Sequence, residues 1–148
     1  MKPTKAFSLL EIITVVAIIS IVTVISVPSY SNIKSQLDIR GTSNNLIGDL
    51  RNAQSDATTS QLLHCIRFNQ ASNPTSYSLI KINDDSTETI IRTQDIETNL
   101  KVEINVINNQ FVFKSDSTPI HSGNITLNSP TGITKTIVIN PIGTIRQQ

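Results

Sequence analysis

From Ile12 to Ile33 the chain carries no charged residue. Between Ile12 and Val27 the polar interruptions are Thr14, Ser20, Thr23 and Ser26, whose hydroxyls can bond back to carbonyls of their own helix. A helix needs about 20 mainly apolar residues to cross a bilayer core, and this stretch reaches that length. The pattern predicts a membrane-spanning helix over residues 7–30. Lys2 and Lys5 precede it and no further basic residue follows until Lys34, which places the N-terminus on the cytoplasmic side. A secretory signal peptide fits less well: the run exceeds an apolar region of about 7 to 15 residues, and no small-x-small cleavage site follows before Tyr30. One acid, Glu11, stands near the start of the run. At a helix centre an acid would cost on the order of 2.5 to 3.5 kcal/mol on insertion, so even near the end it needs a partner or a function.

Beyond Pro28, apolar residues recur at Ile33, Leu37, Leu46 or Ile47, Leu50, Ala53 and Ala57, mostly three or four apart. This predicts an amphipathic continuation of the helix over residues 31–60, packed on the domain's own sheet. Pro28 removes an intrahelical hydrogen bond and is expected to kink the rod. Gly41 and Gly48 weaken it by roughly 1 kcal/mol each relative to Ala, with partial melting near Gly41.

From Leu62 the period changes to two. In "LKVEINVI", Leu100, Val102, Ile104 and Val106 share one face, while Lys101, Glu103 and Asn105 share the other. Similar runs are "LLHCIRF", "SYSLIKI", "ETIIRT", "QFVFK", "NITLN" and "KTIVIN", separated by turn-rich segments. "INNQ" predicts a tight hairpin joining "LKVEINV" to "FVFK". The fold class is therefore α+β: a long N-terminal helix, transmembrane in its first half and amphipathic in its second, on an antiparallel β-sheet domain over residues 62–148.

Composition narrows the chemistry. Twelve Lys and Arg stand against eleven Asp and Glu, so nothing in the balance points to a polyanionic partner. The single cysteine, Cys65, excludes an intramolecular disulfide. His64 and Cys65 point to opposite faces of a strand and His121 is distant, which fits no zinc pattern. They are expected to be a buried thiol beside a surface imidazole. Asp84, Asp85 and Glu88 in "NDDSTE" lack the loop and central glycine of an EF-hand and predict a solvated hairpin tip. No serine lies in a nucleophile motif of the G-x-S-x-G kind. Neither an enzyme nor a cofactor or metal site is expected.

The stretch "AFSLLEIITVVAIISIVTVISVPSY" resembles the N-terminal signal and helix of type IV pilins and of the pseudopilins of type II secretion systems. The resemblance implies a leader, residues 1–6, cut by a prepilin peptidase between Ala6 and Phe7, with N-methylation of Phe7. The family usually has Gly where this chain has Ala6. Glu11 falls on the family's acid at the fifth mature position and Pro28 on its helix-kinking proline. Freed by cleavage, the Phe7 ammonium of one subunit could pair with Glu11 of its neighbour, making both charges tolerable in an apolar bundle and setting the axial register.

"LIGDLRNAQSDATTSQLLHCIRF" and the terminal "TIVINPIGTIR" are similar to the H-type pseudopilin and minor pilin family that includes GspH and FimT. Departures are Gln54 and Asp56, where the family prefers Arg and Glu, and Thr144, where the tail motif has its first Arg. The resemblance implies a minor subunit in the bacterial inner membrane with its globular domain, residues 31–148, in the periplasm. Its partners would be other pseudopilins or pilins and the inner-membrane assembly platform, in protein secretion or pilus assembly. The alternative is a FimT-like minor pilin that binds DNA for natural transformation through Arg146 and Lys135. Loss of the leader takes the basic side chains from twelve to ten against eleven acids, which weakens that alternative.

Overall fold

The computed structural model describes residues 8–148; within its helix, the side chains of residues 25–29 lie outside the description. The Ala6 and Phe7 cleavage junction and the side chain of Pro28 therefore fall outside it. Helix α1, Leu9–Ser60, contributes to two compact units, Met1–Lys34 and Ser35–Gln148.

In the first unit α1 begins after Ser8. The Ser8 hydroxyl accepts the Leu10 N–H at 3.3 Å, and its carbonyl accepts the Glu11 N–H at 3.1 Å, as an N-cap does. The hydroxyls of Thr14, Ser20 and Thr23 donate to the carbonyls of Leu10, Val16 and Ile19, each at 2.8 Å, so no polar group there competes with the helix. The apolar side chains described along this unit are exposed all round the helix. Among the described residues no helix is long and apolar enough to cross a membrane. The span expected over residues 7–30 draws on Phe7 and residues 25–29, and the run with described side chains, residues 9–24, is shorter than a bilayer core requires.

In the second unit α1 buries a stripe made of Ser35, Ile39, Ser43, Leu46, Leu50, Ala53 and Ala57. The steps of three and four keep these residues on one helix face. The stripe differs from the expected one at its start: Ile33, in the first unit, is 54% exposed and Leu37 is 62% exposed, whereas Ile39 is buried. Two serines in the buried register hide the stripe from an apolar count. The helix is unbroken at Gly41, because Ile39 and Ser43 on either side are held in the core and outweigh the weak propensity of glycine.

Eight strands follow: β1 Leu63–Phe68, β2 Ser76–Ile82, β3 Glu88–Asp95, β4 Lys101–Asn105, β5 Gln110–Phe113, β6 Gly123–Asn128, β7 Thr134–Ile139 and β8 Ile145–Gln147. They form two four-stranded antiparallel sheets of order β3-β2-β1-β5 and β4-β6-β7-β8. The inner faces of both, including Ile66, Phe111 and Phe113 from the first and Val102, Ile125 and Ile137 from the second, join the helix stripe in one core.

The hairpin expected at "INNQ" does not form. β4 pairs with β6 and β5 with β1, so the segment is a crossover between sheets, made by a single 3-10 turn, Ile107–Asn109. Asn108 and Asn109 adopt φ of 58° and 54°, a left-handed conformation that Asn tolerates and that redirects the chain.

Four tight turns share one geometry. In residues 83–87, 114–118, 129–133 and 140–144 the first N–H donates to the carbonyl of the fifth residue, and the fourth N–H donates back to the first carbonyl. The fourth residue, Ser86, Ser117, Gly132 or Gly143, has φ of 66°, 67°, 83° or 83°. In the two serine versions Asp85 and Asp116 accept both the N–H and the hydroxyl of the next-but-one Thr, which supports a conformation disfavoured for serine. Gln54 of α1 donates through Nε2 to Ser117 O at 2.7 Å and Gly143 O at 2.9 Å, tying two of these turns to the helix.

A Cβ on Gly143 would lie 2.3 Å from Ser117 O and 2.8 Å from Gln54 Nε2, whereas one on Gly132 would meet nothing within 4 Å. Gly132→Ala carries only the backbone strain and is expected to cost about 1 kcal/mol, against about 2 to 4 kcal/mol for Gly143→Ala. Urea unfolding of the two variants measures the difference, and equal losses would contradict the packed-turn account.

Candidate functional site

Glu11 lies in the first turn of α1, close to unpaired N–H groups and the positive end of the helix. It makes no ion pair among the described residues. Its neighbours Ile12, Val15 and Val16 are exposed, so the carboxylate sits at the border of a bare apolar surface.

The basic pair proposed for DNA does not converge. Arg146 is paired in register with Val138, whose face is opposite that of the buried Ile137 and Ile139. Lys135 has the same parity as Ile137 and Ile139 and opposes Leu127, so it starts on the inner face. The two cations occupy opposite faces of one sheet.

His64 and Cys65 do point to opposite faces of β1, but both are buried: His64 is 3% exposed and Cys65 0%. The expected surface imidazole is thus corrected. β1 is a central strand, and His64 shares the inner face with Ile66 and Phe68, its Nδ1 lying 3.3 Å from the carbonyl of Leu62. On the outer face Cys65 packs with Ile80 and Val112. Arg67 of β1 reaches over β2 to Glu88 of β3 in a bidentate pair at 2.7 and 2.6 Å, with its Nε donating to Gln110 at 2.8 Å. That arrangement roofs the small cluster. Burial pushes the Cys65 thiol up to about 11, opposed in part by the charge of Arg67.

The three acids of "NDDSTE" also part company. Asp85 caps Thr87 within the turn, while Glu88 belongs to β3 and is held by Arg67, which lowers its pKa. Among the described residues no group of three or more His, Cys, Asp or Glu could hold a metal.

A polar network that the sequence reading did not single out crosses the helix and sheet. Asp49, 6% exposed on α1, accepts the Tyr77 hydroxyl at 2.7 Å and an Arg92 N–H. Burial first, then the bond to Asp49, raise the pKa of Tyr77. A carboxylate one residue before Leu50, at the margin of a buried stripe, was the available signal, since such a group must find donors.

No family model matches this chain, and no curated protein does. Solved structures do. The type IV minor pilin FimU of Pseudomonas aeruginosa superposes with a TM-score of 0.59 at 13% identity, covering 74% of this chain and 91% of its own. The minor pseudopilin EpsH of the type II secretion system of Vibrio cholerae gives 0.64 at 9% identity, covering 75% and 96%. The fold is pilin-like. At such identities the likeness resides in architecture: a long helix laid on antiparallel sheets. In this pilin-like fold the chemistry-bearing residues are dispersed, and the buried ones are all used in packing or capping.

The neutral thiol of Cys65 has a consequence for pH. Its folded pKa lies above the unfolded value of 9.0, so its stabilising contribution is complete below pH 9.0 and is lost as pH rises towards about 11. At pH 8 iodoacetamide is expected to leave Cys65 of the folded chain unmodified while labelling it in urea, as intact mass would record. Rapid labelling of the folded chain would contradict the roofed cluster.

Proposed function

We propose that this chain is a minor pilin or minor pseudopilin: a non-enzymatic structural subunit, processed by a prepilin peptidase between Ala6 and Phe7 and carried in the bacterial inner membrane by the helix over residues 7–30. It would join the initiation or tip complex of a type II secretion pseudopilus or a type IV pilus and support secretion or pilus assembly. The observation that carries the reading is the first part of α1, whose apolar side chains over residues 9–24 are exposed on every side, with Glu11 in the first turn. Such a helix has no use in water; it requires lipid or other helices of its kind. The pilin-like fold of the second unit adds support, and FimU and EpsH are themselves minor subunits of the two machines.

In the proposed mechanism cleavage creates an ammonium on Phe7, which N-methylation leaves charged. In a bundle of such helices Glu11 of one subunit neutralises that ammonium of its neighbour, and the low dielectric makes an unpaired alternative costly. Only an axial stagger that brings the two together is tolerated, so the pair sets register. The DNA-binding alternative draws no support from geometry, since Arg146 and Lys135 lie on opposite faces.

Two outcomes follow. The mature protein from its native membrane should have the intact mass of residues 7–148 plus one methyl group; a mass retaining residues 1–6 would refute processing. Glu11→Ala is expected to lower incorporation into filaments about tenfold or more, in line with loss of a partner from a buried charge pair, without altering the fold of the second unit. Undiminished incorporation, read by immunoblot of sheared filaments, would refute the pairing.

A further inference from the structure

We propose that the free edge of β3 is a docking site for an extended, basic segment of a partner protein, which adds to the first sheet as a fifth strand. The proposal does not rest on the filament reading.

A strand edge presents unpaired N–H and C=O groups, and proteins usually cover or shorten it. Three of the four edges here follow that rule. On β5, Phe113 bridges to Pro119 and the Ile120 N–H donates to Val112 O at 2.8 Å. On β4, Ser72 bridges to Glu103, the Asn73 N–H donates to Val102 O at 2.6 Å, and the Ile104 N–H donates to Ala71 O at 2.9 Å. β8 has only three residues. Among the described strands β3 is the long edge left uncovered: its eight residues are all exposed and it pairs there only with β2, its protection being a central bulge and its charged side chains. At its centre a bulge places Ile91 between the pairs Leu79 with Arg92 and Ile80 with Ile90, leaving Ile90 63% and Ile91 50% exposed.

Charge selects the occupant. Asp84 and Asp85 lie before β3, and Asp95, Glu97 and Asp38 lie at its far end; none of these has a basic partner among the described residues. Of the nearby cations Arg67 is committed to Glu88 and Arg92 to Asp49, while Lys81 of β2, in register with Thr89, makes no ion pair among the described residues. Asp38, Asp95 and Glu97 line a pocket of about 220 Å³ between α1 and the end of β3, with Tyr77 and Gln94 in its wall. A Lys or Arg at one end of an incoming strand fits there, with its stem along the apolar part of Tyr77. A second copy of β3 does not: antiparallel self-pairing in register sets Glu88 against Asp95. Nucleic acid and anionic lipid are repelled by the same acids. Main-chain pairing would give affinity and the acidic ends specificity, as in β-strand addition.

The test is hydrogen exchange of the full chain in detergent micelles, read by mass spectrometry. One probe is a synthetic octapeptide alternating Lys with Val and Thr; the second replaces each Lys with Glu; the third replaces each Val with Pro, which cannot pair. The expected result is at least about tenfold slower exchange confined to β3 with the first probe, fading as salt screens the pairing, and no change with the others. The double variant Asp95→Asn, Glu97→Gln, exposed at both positions, should weaken the protection several-fold without altering exchange in the core. Equal protection by the acidic or proline probe, protection elsewhere, or none at millimolar probe would overturn the proposal.

Discussion

The second unit depends on a close approach between one helix face and two sheets. Ile39, Leu46 and Leu50 supply the apolar volume, and full burial of each such side chain contributes about 1.5 to 3 kcal/mol. Ala53 and Ala57 supply the opposite quality. With no side chain beyond Cβ, they let the last turns of the helix lie close to the sheets, where Gln54 can reach the carbonyls of Ser117 and Gly143. The chain-reversing turns, the crossover at Asn108 and the register of both sheets are arranged around that contact. Asp49, at the edge of the stripe, fixes the helix to β2 and β3 through Tyr77 and Arg92, so the packing has polar specificity as well as volume.

The first unit follows a different rule. Over residues 9–24 its apolar side chains are exposed in every direction, and the hydroxyls of Thr14, Ser20 and Thr23 are turned back on the helix. Its one acid, Glu11, sits in the first turn. A helix of this kind acquires a role only from its surroundings, which is why the proposed function is placed there.

Much of this architecture was legible in the sequence, and the misses have physical causes. Period-two runs located β1 to β7 within a residue or two, because alternate burial leaves a direct mark, while the three residues of β8 are too few to show one. The pairing of those strands was not legible. "INNQ" looks like a hairpin, yet two left-handed asparagines serve a crossover as readily as a tight turn, and only the non-local partners of β4 and β5 decide. Ile33 and Leu37 suggested a stripe whose true register runs through Ser35 and Ser43, since a small hydroxyl can occupy a helix-to-sheet contact as well as an alanine. His64 was assigned to the surface by alternation with Cys65, which fails on a central strand whose outer face is roofed by Arg67 and Glu88. Arg146 and Lys135 were grouped by proximity to the C-terminus, but alternation puts them on opposite faces. Glu11 is conspicuous in the sequence because an acid at the head of an apolar run carries a cost.

The central claim is that the first helix packs against its counterparts in other subunits. The most direct measurement places a photo-crosslinking amino acid at Val15, exposed one turn beyond Glu11, and identifies the adducts formed in the native membrane. The account predicts covalent adducts with other subunits of pilin-like fold, joined through their own N-terminal helices. Adducts with lipid alone, or with proteins lacking such a helix, would contradict it.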